Sequence, residues 1–247
     1  MKLDKIDKTS VVPIYFQLKT LIQERISSGE YPVGMCLPSE REYCEEYGIS
    51  RMTVRQGISD LVNEGLLRRE RGKGTYVAQP KIEQGLQVLT SFTEEMKRRN
   101  MHPGTRLIHM VTCPAAGHVA RQLGLEIGAG VYEIVRLRLA DDEPMAIETA
   151  YVPICNLPNL TEDKVATGSL YEVMREIGIE IAHATQTLEA ALAKGTEATK
   201  LNIKNKAPVL LIERTTYASG GQAIEFVKSV YRGDRYKFAI DLISLNS

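Results

Sequence analysis

Several things are scarce in this chain, and each scarcity narrows what it can be. No apolar run approaches the roughly 18–20 residues of a membrane span, so no membrane partner is expected. The opening Met1-Lys2-Leu3-Asp4-Lys5 leads into no apolar stretch, so no signal peptide is expected either. Cysteine occurs four times (Cys36, Cys44, Cys113, Cys155) without C-x-x-C spacing, which fits a reduced, cytoplasmic chain and offers no zinc pattern. His102, His109, His118 and His183 lie in separate segments, none at a ligand spacing such as H-x-x-x-H. No metal or other cofactor is therefore expected. Net charge is also missing, with 31 Lys+Arg against 31 Asp+Glu. A balanced total is silent about an acidic partner, but it can hide a basic patch.

What is present is the mix of an ordinary globular protein, 43% hydrophobic and 25% charged. At roughly 100–200 residues per domain, 247 residues favour two domains over one. Divided along the chain, the charge becomes informative. Residues 1–50 carry a balance of −2, residues 51–79 a balance of +3, and residues 80–247 a balance of −1. A short basic stretch of this kind is either a solvated face or part of a nucleic-acid interface.

The first eighty residues favour the interface. Ile14, Leu18, Leu21, Ile22 and Ile26 follow Pro13 at helical spacing, and Gly29 stops that helix. Ser39 and Glu42 make a capping box for a second helix running to about Tyr47. Gly48 turns the chain, and Ser50 caps a third helix, 51–64, with Val54, Ile58, Leu61 and Val62 on its inner face. Two short helices around a tight glycine turn outline a helix-turn-helix, whose second helix enters the major groove. The first turns of that helix hold Arg51, Thr53, Arg55 and Gln56. Arginine matches the two acceptors of guanine and glutamine can match adenine. Leu66–Val77 then reads as a hairpin with a basic tip, Arg71-Gly72-Lys73-Gly74, suited to lie along phosphates. The bland alternative is a small helical bundle with a surface hairpin.

Pro38-Ser39-Glu40-Arg41-Glu42, Ser50-Arg51-Met52-Thr53-Val54-Arg55-Gln56, Leu61-Val62-Asn63-Glu64-Gly65-Leu66-Leu67 and Arg71-Gly72-Lys73-Gly74-Thr75-Tyr76-Val77 resemble the DNA-binding domain of the GntR family of bacterial transcription regulators. The resemblance implies DNA contact by Arg41, Arg51, Arg55 and Gly74, with Ser50 and Thr53 at phosphate- or base-contacting positions. Gln56 and Lys73 join them from their own chemistry.

Pro80 favours an extended linker, and the boundary falls near it. Beyond it, alternating stretches at 131–139 and 145–152, and again at 209–218 and 222–231, read as two hairpins. Further strands are expected at 106–112, 181–192 and 238–243, with helices at 115–123 and 169–176. Antiparallel hairpins with helices between them make an α+β domain. Arg136 and Arg138 share a strand face and need an anion, or an acid such as Glu133 or Glu148, to offset desolvation. Thr90-Ser91-Phe92-Thr93-Glu94 and Ser169-Leu170-Tyr171-Glu172 are helix starts with capping boxes. Such starts are usually caps alone, but can seat a phosphate. Glu225 and Tyr231 share a face on one hairpin and Glu148 lies on the other; a carboxylate or a phenol can bond a sugar hydroxyl or an amide.

Leu89–Met96, Arg136–Ala140, Pro144–Glu148, Ser169–Tyr171 and Phe226–Tyr236 resemble the effector-binding (UTRA) domain of HutC-type GntR regulators. That resemblance implies a chorismate-lyase-like fold used as a sensor, not an enzyme. Within the group the chain is similar to repressors of N-acetylglucosamine utilisation, whose effectors are glucosamine 6-phosphate and N-acetylglucosamine 6-phosphate. It implies that Thr90, Ser91, Arg136, Arg138, Ser169 and Tyr171 hold the phosphate. Glu148, Glu225 and Tyr231 would hold the sugar and its amino or N-acetyl group. One departure is Ala190 after Glu189, where many relatives carry proline.

The expected organisation is a winged helix-turn-helix domain at 1–78, a linker at 79–88 and an effector domain at 89–247. The expected partners are a pseudo-palindromic double-stranded operator, a phosphorylated amino sugar and a second copy of the chain. Two rivals stay open. One is the same regulator type sensing urocanate, a trehalose phosphate or a fatty-acid-like molecule. The other is a lyase-like enzyme, against which stands the lack of any nucleophile–base pair in the sequence.

Overall fold

A computed structural model describes residues 6–70 and 72–242. Arg71 of the expected basic tip lies outside the described residues, as do residues 1–5 and the end of the last expected strand. The chain divides into two compact units, Met1–Lys81 and Ile82–Ser247.

The first unit begins with α1 (Ile14–Ser27), which buries Leu18, Leu21 and Ile22. Next comes α2 (Glu40–Tyr47). The Ser39 hydroxyl accepts from the Glu42 amide while the Glu42 carboxylate accepts from the Ser39 amide, so two orphan donors are satisfied together. Gly48 ends α2 in the left-handed region at φ 59°, as a tight turn needs. Ser50 caps α3 (Arg51–Asn63) by accepting from the Thr53 amide. The inner stripe Val54, Ile58 and Leu61 packs with Leu18, Ile22, Tyr43, Leu67 and Val77 into one core. The hairpin of β1 (Leu67–Glu70) and β2 (Gly74–Val77) is antiparallel.

Gly57 is where α3 crosses α1. A Cβ there would meet the Tyr15 carbonyl oxygen at 2.9 Å. Alanine normally gains about 1 kcal/mol over glycine within a helix, but overpacking costs about 1–3 kcal/mol. Gly57→Ala is therefore expected to lower the melting temperature of this unit, and an unchanged or raised melting temperature contradicts the close crossing.

The second unit opens with β3 (Ile82–Gly85), so part of the stretch expected as linker is a strand. It pairs in parallel with β10 (Tyr236–Ala239). The last expected strand thus starts earlier and ends earlier than 238–243. Between them run α4 (Phe92–Arg98), β4 (Pro103–Pro114), α5 (Gly117–Leu123), β5 (Gly130–Ala140), β6 (Glu143–Pro153), α6 (Glu162–Thr167), α7 (Leu170–Glu176), β7 (Ile181–Leu192), α8 (Gly195–Leu201), β8 (Pro208–Ala218) and β9 (Ala223–Arg232). Six of these strands form one antiparallel sheet in the order β4-β5-β6-β9-β8-β7. The architecture is α+β, as the hairpin pattern implied. α7 lies on one face of the sheet, where Leu170, Tyr171, Val173 and Met174 cluster with Ile134, Ala150, Ile224 and Val227.

Candidate functional site

Two surfaces carry the chemistry, one in each unit.

In the first unit, one concave surface gathers Arg41, Arg51, Arg55, Lys73 and Gly74, and Arg69 joins them. The arginine side chains remain well exposed, Arg41 by 86%, Arg51 by 80% and Arg55 by 63%, so their guanidinium groups are open to a polyanion. Ser50 and Thr53 are spent on the start of α3: the hydroxyls are 2.8 Å apart, and Ser50 also caps. Gln56 donates to Asp60 at 2.9 Å, so reading a base requires breaking that bond. Lys73 is 3.6 Å from Glu70 at the tip of the hairpin. Gly74 has φ +133°, and a Cβ would meet the Cys36 sulfur at 3.0 Å. Backbone at that φ is open to glycine and strained for other residues, so glycine here shapes the tip.

In the second unit, strand register sets out a grid. Arg136 on β5 pairs with Glu148 on β6, which pairs with Ser229 on β9, which pairs with Ile212 on β8. The next row is Ile134, Ala150, Val227 and Arg214. Cross-strand partners point to the same face, so these two rows bring two arginines and a carboxylate together among small and apolar groups. The beginnings of α4 and α7 border the same cavity. It is lined by Gln84, Thr90, Ser91, Phe92, Arg136, Glu148, Ser169, Tyr171, Arg214, Glu225 and Tyr231, together with four side chains of the sheet and of α7.

Eight of the nine expected effector residues thus lie around one space. Arg138 is the ninth, and it sits apart. Its strand partner is Ala146, beside Tyr231, one row beyond Arg136. Its guanidinium lies 4.8 Å from the centre of the Phe92 ring and donates to the Thr93 hydroxyl at 2.8 Å. Its Nε and Nη1 are buried without a partner. Arg214 was missed. It lines the cavity half-buried, donating to Gln186 at 2.8 Å and to the Thr90 carbonyl at 3.2 Å. The turn gave no signal for it: counting back across Ser219-Gly220-Gly221 puts Arg214 opposite Phe226, and only the register shift between Thr216 and Tyr217 brings it opposite Val227, on the face of Glu225.

The electrostatics separate the two carboxylates. Burial disfavours ionised Glu148, but Arg136 and Arg138 outweigh it and hold the pKa below the ordinary range. Glu148 is ion-paired with Arg136. Burial, and then the Glu148 charge, push Glu225 up to about 7 against the opposing arginines. Burial likewise raises the Tyr171 and Tyr231 phenols to about 12, so both stay neutral hydrogen-bonding groups. Among the described residues, no group of three His, Cys, Asp or Glu side chains is placed to hold a metal ion. No described helix is long and apolar enough to cross a membrane.

The basic helix-turn-helix face of the first unit is that of a DNA-binding regulator. Residues 14–77 match the gntR family of bacterial regulatory proteins, and residues 98–237 match the UTRA domain. The chain belongs to the GntR family and carries a UTRA domain. It is 49% identical to the HTH-type transcriptional repressor NagR of Bacillus subtilis, over 94% of this chain and 96% of that one. It is 29% identical to the mannosyl-D-glycerate transport/metabolism system repressor MngR of Escherichia coli, over 92% of this chain and 95% of that one. The crystal structure of PhnF from Mycobacterium smegmatis superposes with a TM-score of 0.67 at 31% identity, covering 92% of this chain and 99% of that one.

Proposed function

We propose that this chain is a cytoplasmic, homodimeric repressor of amino-sugar utilisation genes, controlled by glucosamine 6-phosphate or N-acetylglucosamine 6-phosphate. The observation that carries the reading is the second unit's cavity. It offers the buried guanidinium of Arg136, the half-buried one of Arg214 and the hydroxyls of Thr90, Ser91 and Ser169 to a phosphate. Beside them it offers two carboxylates in opposite states to a sugar. Ionised Glu148 accepts hydrogen bonds from hydroxyls. Glu225, near neutrality, donates to an N-acetyl carbonyl when protonated and attracts an ammonium when ionised.

The cavity as it stands encloses only about 50 Å³, whereas sites for small ligands run to about 300–1,000 Å³. Binding therefore moves a wall. Gln84, Thr90, Ser91 and Phe92 form the wall that continues directly from the DNA-binding unit in sequence. A ligand that draws in Thr90 and Ser91 pulls on the segment joining sensor to reader. If the dimer's half-site spacing then misfits the operator, affinity falls by about 5–150-fold. In this reading the chain needs no turnover chemistry.

On the DNA side, Arg55 reads a base from α3. Arg55→Ala is expected to weaken operator binding by about 1–3 kcal/mol and to leave effector binding unchanged. Fluorescence anisotropy with a labelled operator measures this, and unchanged affinity removes Arg55 from the reading set.

A further inference from the structure

Glu40 is a carboxylate in the middle of the surface that would face phosphates. It is the first residue of α2, where the positive end of the helix favours it. Its Oε2 is 3.2 Å from Arg51 Nε, and its Oε1 is 3.8 Å from Arg55 Nε and 3.9 Å from Arg69 Nη2. Three cations from α3 and β1 therefore meet one acid. Its side chain is only 23% exposed, far less than those of Arg51 and Arg55. The three arginines are solvated and need no acid for stability, since exposed pairs contribute little to folding. A negative charge there also works against DNA by repelling phosphate.

We infer that Glu40 is a positioning residue for base reading. It offsets the mutual repulsion of Arg51, Arg55 and Arg69. It accepts a hydrogen bond from Arg51 Nε, which orients that guanidinium plane, and its charge draws Arg55 by the Nε side; both leave the terminal nitrogens for the acceptor pair of a guanine. Its charge meanwhile lowers affinity for any phosphate backbone, whatever the sequence. Both effects raise the ratio of operator to random binding. The inference rests on the DNA-binding reading above and adds a residue that touches no base.

The test uses the full chain, a duplex selected by the wild-type chain from a random library, and an unselected duplex of equal length. Glu40→Gln removes the charge and Glu40→Asp keeps it while withdrawing it by one methylene. Glu40→Gln is expected to bind the unselected duplex more tightly. Glu40→Asp should bind that duplex as the wild type does, which also shows that its DNA-binding unit is folded. In both variants the selected-to-unselected ratio should fall about fivefold or more. A wild-type ratio in Glu40→Asp overturns the positioning role and leaves a charge effect alone. A wild-type chain that selects no duplex overturns this inference together with the DNA-binding reading. Selection by the wild type with an unchanged ratio in both variants overturns this inference only.

Discussion

Arg136→Ala is expected to abolish binding of a phosphorylated amino sugar and to cost the second unit about 3–5 kcal/mol of stability. The reason is the same for both losses. Arg136 is 3% exposed, and its guanidinium is ion-paired with Glu148, itself only 13% exposed. Removing the cation leaves Glu148 buried beside Glu225, with only the more distant arginines to offset its charge. Replacing both members together separates stability from binding. Arg136→Met with Glu148→Leu removes the unpaired charge and is expected to recover most of the stability. It should not recover binding, because the phosphate loses the more buried of its two guanidinium groups. Urea unfolding of the full chain, paired with ligand titration, measures both. A double variant that binds the sugar phosphate would show that the pair is structural and that the ligand sits elsewhere.

Glu225→Gln is expected to stabilise the protein above neutral pH. The folded-state pKa of Glu225 is raised from 4.5 to about 7. The native state therefore holds a proton that the unfolded chain releases between these values, and stability falls as pH rises through that window. The shift corresponds to a penalty on the order of 3 kcal/mol once pH exceeds the folded pKa. Glutamine keeps the shape, still accepts from the Thr216 hydroxyl in the manner of Glu225, and carries no charge to desolvate. The variant and the wild type should thus be similar at pH 5 and diverge by pH 8, with the variant more stable. Glu148 has the opposite sign: its pKa is depressed, so its contribution is present above the unfolded value and is lost as pH falls. Parallel wild-type and Glu225→Gln profiles between pH 5 and 8 would contradict an elevated Glu225.

What was legible in the sequence was local. Ser39 with Glu42, Ser91 with Glu94 and Ser169 with Glu172 act within one helical turn, and all three capping boxes form. The two hairpins around 140–144 and 218–222 have turn residues between alternating runs, and they built most of the sheet. The parallel pairing of β3 with β10 was hidden because it joins two four-residue strands about 150 residues apart, with no turn between them. α8 was hidden because Lys194 stands where a hydroxyl cap would have announced it. In the cavity, strand alternation correctly put Arg136 and Arg138 on one face. It did not reveal that Phe92 covers Arg138, which depends on how α4 packs over the sheet. Arg214 stayed unnoticed because its role depends on the register of β8 against β9.

The central claim is that the second unit's cavity holds a phosphorylated amino sugar. Isothermal calorimetry of the full chain with glucosamine 6-phosphate, N-acetylglucosamine 6-phosphate and unphosphorylated N-acetylglucosamine tests it most directly. The account predicts saturable heat with at least one of the two phosphates, none with the unphosphorylated sugar, and loss of that heat in Arg136→Ala. No heat with either phosphate, or equal heat with the unphosphorylated sugar, would contradict it.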